Sequence, residues 1–95
     1  MDNKNVKQAV EAFIWVSARI SMRAETDHEL NDILQYMMKS DKDHVLVNII
    51  NLDALSIVSD YPSFEEKIDL LCIKLRKKYR ELVHPRQATN DKKGD

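Results

Sequence analysis

Glycine is almost missing from this 95-residue chain; the single one is Gly94, close to the C-terminus. Phosphate-binding loops need glycines where the backbone closes on the anion, so P-loop and dinucleotide fingerprints are excluded. Tight hairpins rely on Asn-Gly, Asp-Gly or Gly-Gly turns, and none occurs, which argues against a hairpin-built sheet. Proline is confined to Pro62 and Pro85. Cys72 is the lone cysteine, so no intrachain disulfide can form, as expected for a reducing compartment. Long apolar runs are lacking as well. The stretch Ala12–Val16, bracketed by Glu11 and Arg19, is too short and too charged for a membrane span or signal-peptide core. The expectation is a cytoplasmic protein with no membrane association.

What the chain does contain is helix-forming. Hydrophobic residues make up 43% and charged residues 33%, a globular balance with a charge-rich surface. The formal net charge of −1 hides a segregation. Residues 1–23 carry four basic and two acidic groups, residues 24–63 two and eight, and residues 64–95 nine and six. An acidic middle and basic ends can attract one another within one chain or between two copies.

Periodicity predicts about four helices. Val6, Val10, Phe13, Ser17 and Ile20, widened by Ala9 and Val16, give a first helix over residues 5–23, after frayed residues 1–4. Thr26 with Glu29 has the form of a capping box opening a second helix over 26–39, whose apolar face is Leu30, Ile33, Leu34 and Met37. Ser40, Asp41, Lys42 and Asp43 form a polar joint. The β-branched run from Val45 to Ile50 suits a strand, but Leu46, Ile50, Ala54, Ile57 and Tyr61 share one helical face. With Val45, Ile49 and Leu52 as a second strip, the segment 44–61 reads as a central helix buried on two sides. Pro62 ends it. Ser63 with Glu66 is a second capping box, and Phe64, Ile68, Leu71, Cys72, Leu75, Tyr79 and Leu82 follow the 3.6-residue period over 63–83. Short joints make the all-α chain a small antiparallel bundle spanning residues 1–85, with a disordered polar tail at 86–95.

Catalytic and metal-binding patterns are absent. His28, His44, His84 and Cys72 show no ligand spacing, and Asp41 and Asp43 lack the turn glycine and distal glutamate of a calcium loop, so no metal and no cofactor is expected. Cys72 lies on an apolar stripe, the setting of an inert core cysteine. Asp27, Glu29 and Asp32 read as helix-start charges. The chain is therefore expected not to be an enzyme.

Binding features remain. Trp15 falls opposite the Val6–Val10–Phe13–Ile20 stripe, among Glu11, Arg19 and Met22, with Ala18 and Lys7 near; Trp, Arg and Met together have the composition of a protein-binding hot spot. Basic residues crowd the last helix. A partial patch of Arg76, Lys77, Arg80 and His84, with Ile73, could meet an anion or nucleic acid, although Glu66 and Asp69 share the face and the other charges spread around the axis. A helix-turn-helix over helices two and three is disfavoured by Asp43, Asp53 and Asp60, which repel phosphate. Asn48, Asn51, Asp53 and Ser56 mark a solvent-facing strip on helix three. The leading expectation is a non-catalytic small helical interaction protein of adaptor, inhibitor, chaperone or immunity type, binding a protein partner and pairing as a homodimer. The alternative is a nucleic-acid-binding or transcription-regulating protein using the basic C-terminal helix.

Overall fold

A computed structural model describes residues 3–40, 44–59 and 62–84, with side chains from Asn5 onward. It contains four helices: α1 (Asn3–Ala24), α2 (His28–Lys39), α3 (His44–Ser59) and α4 (Phe64–Val83). No strand occurs among the described residues. The expected tail at 86–95, the joint residues Asp41 to Asp43, and Tyr61 as the last position of the third apolar face lie outside the described residues.

The core is a set of short apolar side chains contributed by every helix. Ala12, Val16, Ile20 and Ala24 come from α1, Leu30 and Ile33 from α2, Leu46, Ile50, Ala54 and Ile57 from α3, and Ile68, Leu71, Cys72 and Leu75 from α4. Phe13, Leu34, Tyr36, Met37, Ile49, Phe64, Tyr79 and Leu82 close its edges. α3 lies between α1 and α4, while α2 packs on α1 and α4. Ile20 and Ile50 line one cavity, and farther along Ala12 and Trp15 line another with Leu55 and Val58, so α1 and α3 run antiparallel. Asp53 pairs with Lys74 while Ile57 lies by Lys67, which makes α3 and α4 antiparallel too.

Four details depart from the sequence expectation. First, α1 begins at Asn3, so residues 3 and 4 are helical, not frayed. Second, its buried stripe is rotated. Ala12 and Ala24 are core, whereas Val6 and Val10 are 64% and 51% exposed and Ala9 is also exposed. Length explains this: 22 residues of α1 span about 33 Å and the 12 of α2 about 18 Å. The first turns of α1 therefore overhang α2, which ends near Phe13. Third, the strip Val45–Ile49–Leu52 is not buried. Ile49 is half-covered, but Val45 is exposed and Leu52 is 80% exposed. α1 and α4 pack on α3, whose buried residues are Leu46, Ile50, Ala54 and Ile57, and the exposure of Val45 and Leu52 leaves that face open among the described residues.

The fourth departure concerns the caps. Asp27, not Thr26, is the N-cap of α2; its φ of −130° and ψ of 99° are extended, and its carboxylate accepts from the Leu30 N–H at 3.1 Å. Thr26 instead donates its hydroxyl to the Arg23 carbonyl at 3.4 Å. A carboxylate at this place wins because it also meets Arg76 of α4. Ser63 is the N-cap of α4 by position, but its side chain makes no capping hydrogen bond, so its capping box with Glu66 does not form. Its carbonyl still accepts the first helical bond, from Lys67 N–H at 2.9 Å.

Candidate protein-interaction face

Trp15 sits on the flank of α1, next to the buried stripe instead of opposite it. The residue is 62% exposed. One edge meets Phe64, at the start of α4, in a T-shaped contact with centroids 6.5 Å apart and planes at 86°. On its other side a groove of about 320 Å³ opens between α1 and α3. Gln8, Glu11, Ala12 and Trp15 form one wall, and Leu55, Val58 and Ser59 the other. The last turns of α3 thus add Leu55 and Val58, both exposed, to the face that the sequence marks only on α1. Their signal was present on the wheel: two apolar residues three apart, away from the Leu46–Ile57 side.

The residues expected around Trp15 divide into two groups. Glu11 borders the groove, has no ion-pair partner among the described residues, and is exposed. Met22, farther along the same side of α1, is also exposed. Arg19 is held from beneath, where its guanidinium pairs with Glu65 and lies 5.7 Å from the Phe64 ring centroid. Arg23 joins the same cluster, bonding Glu65 at 2.9 Å and also Asp69.

The second sequence candidate, the basic side of α4, is partly taken up by the chain's own carboxylates, which hold Arg76 and Arg80. Arg76 pairs with Asp27 and, through Nε, with Glu29 at 3.1 Å. Arg80 grips the other Glu29 oxygen through Nε at 3.0 Å and Nη2 at 2.5 Å. Lys74 bonds Asp53 at 3.0 Å and Lys78 bonds Glu81 at 3.1 Å. Lys77 and His84 are exposed and carry no carboxylate contact among the described residues. The segregated charge is therefore matched inside one chain, acidic α2 against basic α4.

These contacts set the few perturbed ionisations. The Leu30 N–H holds the Asp27 carboxyl below its ordinary range; burial opposes this and Arg76 reinforces it. For Arg76, burial disfavours the charge, but the hydrogen bond and attraction of Asp27 outweigh it and keep the guanidinium above its usual value. Burial pushes the Cys72 thiol up, against the weaker pull of Arg23 and Arg76. Such a thiol is a poor nucleophile. Cys72 should react with a thiol-specific chromogenic disulfide only as the protein unfolds; rapid labelling in native buffer would show that the site opens. No three His, Cys, Asp or Glu side chains among the described residues are placed to hold a metal ion. No described helix is long and apolar enough to cross a membrane.

No protein-family model matches the chain, and no curated protein or solved structure shows significant similarity to it.

Proposed function

We propose that this chain is a non-catalytic interaction protein that binds another protein chain through the Trp15 groove. The observation that supports this is the exposure of Trp15 beside Leu55 and Val58, in a groove whose rim carries Glu11 and, along α1, Arg19 and Met22. An aromatic anchor within an apolar patch and a polar rim is the usual anatomy of a binding hot spot. The fold can hold one side of the groove in place, because Phe64 braces Trp15 and is itself covered by Arg19, which Glu65 pairs with. Its reading as an adaptor, inhibitor, chaperone or immunity-type protein of a reducing compartment follows from size and absent chemistry, by analogy of class.

The test compares wild type with Trp15→Ala in affinity capture from the native host, followed by titration of the captured protein. Truncation should weaken association by at least about 1 kcal/mol while circular dichroism shows unchanged helix content. Equal affinity of the two proteins would end this reading. So would recovery of nucleic acid alone, bound with a steep salt dependence and lost on charge reversal at Lys77 and His84.

A further inference from the structure

The charges around Trp15 are arranged symmetrically along α1. Glu11 lies four residues before it and Arg19 four residues after it, all on one side of the helix. An interface between identical copies must be self-complementary: if residue i meets residue j, then j meets i. When two α1 helices cross antiparallel at Trp15, residue i faces residue 30 − i of the other copy. Glu11 then faces Arg19 and Arg19 faces Glu11, giving two attractive pairs from one two-fold axis. Gln8 faces Met22 by the same relation. A parallel crossing would instead set Glu11 on Glu11 and Arg19 on Arg19.

We propose that the Trp15 groove is the two-fold interface of a homodimer, with α1 of each copy antiparallel to the other. This rests on the binding role of the groove argued above and names its occupant as a second copy. Glu11 is unpaired among the described residues and so is available to a partner. Arg19 already meets Glu65, but a guanidinium has five donors and can serve a second carboxylate. Leu55 and Val58 extend the contact beyond α1, and Leu52, one turn earlier on α3, continues the apolar surface outward. Stable dimers usually bury about 800 Å² per copy, which calls for this wider surface in addition to the tryptophan. A chain this small gains stability from pairing, because its own core is limited.

Sedimentation equilibrium of the full chain should show a dimer whose dissociation constant rises at least about tenfold in Trp15→Ala. Glu11→Arg should weaken it about tenfold as well, because symmetry makes one substitution replace two attractive contacts with repulsive ones. Geometry is read by disulfide trapping with Glu11→Cys and Arg19→Cys, mixed and separately, under oxidised glutathione. Native Cys72 is buried and stays silent. The mixture should form a covalent dimer, while neither variant should do so alone, since two copies of position 11 sit about 12 Å apart along the axis. A chain that remains monomeric, or Glu11→Cys crosslinking with itself, overturns the proposal. If the monomeric chain still captures another protein in a Trp15-dependent way, the wider binding role stands and only the identity of the occupant fails. If Trp15→Ala alters neither measurement, both fail together.

Discussion

Truncating Ile50 to alanine should remove about 2–5 kcal/mol of stability, whereas the same truncation at Leu52 should cost less than about 0.5 kcal/mol. The two residues are two positions apart on α3. Ile50 is 2% exposed, in the same buried core as Ile20, while Leu52 is 80% exposed. A strand would put both side chains on one face and give them similar costs; a helix separates them by some 200°. The pair therefore tests the helical assignment of the β-branched run Val45 to Ile50 as well as the burial of Ile50. Urea unfolding midpoints, taken at low protein concentration so that association does not contribute, provide the measurement. With total stability of small domains near 5–15 kcal/mol, Ile50→Ala should be close to the limit of folding. Equal losses at both positions would mean that the segment is a strand or that α3 is covered on both sides.

Asp27→Ala should cost about 1–2 kcal/mol, the upper part of the range of about 0.5–2 kcal/mol for losing an N-cap side chain, because it also leaves Arg76 one partner short. Asp27 does two things at once. It caps Leu30 at the start of α2 and it ties that start to α4 through Arg76. Asp27→Asn keeps a capping oxygen but discards the charge, so it should recover part of the loss and separate the two roles. The effect should also depend on pH. The folded carboxyl lies below its unfolded value, so its contribution is fully present above the unfolded pKa, near 3.9, and fades as the pH falls through the lower folded pKa. The gap between wild type and Asp27→Ala should therefore narrow in acid, where the protonated carboxyl keeps only its capping oxygen, and should have its full size above about pH 5. A constant difference across that range would show that the charge of Asp27 contributes nothing to the fold.

The order, number and approximate bounds of the helices were legible because each carries an uninterrupted apolar period, and because Pro62 falls between α3 and α4. The faces were read less well, and the reason is tertiary. The wheel of α1 admits both Val6–Val10–Phe13 and Ala12–Val16–Ile20 as apolar stripes. Only the length of α2 and the position of α3 decide which is covered. The same holds for Leu52, apolar in sequence and uncovered in the fold. Trp15 and its charged neighbours were visible, but the opposite wall of the groove lies some forty residues later in the chain, beyond any local pattern. The basic segment of α4 was visible too, although its neutralisation by Asp27 and Glu29 depends on packing that periodicity does not encode.

The two ion-pair clusters that border α4 have opposite polarity. At its first turns the helix offers carboxylates, Glu65 and Asp69, to Arg19 and Arg23; near its last turns it offers Arg76 and Arg80 to Asp27 and Glu29. The more exposed of these pairs, those of Arg19, Arg23 and Arg80, add only about 0.2–1 kcal/mol each to stability. Their arrangement, however, discriminates between directions. An apolar stripe such as Ile68–Leu71–Leu75 would bury nearly as well with α4 laid in backwards. That reversal would set carboxylate against carboxylate at one end and guanidinium against guanidinium at the other. The charges thus work as a key to chain polarity, penalising the inverted topology during folding more than they reinforce the correct one.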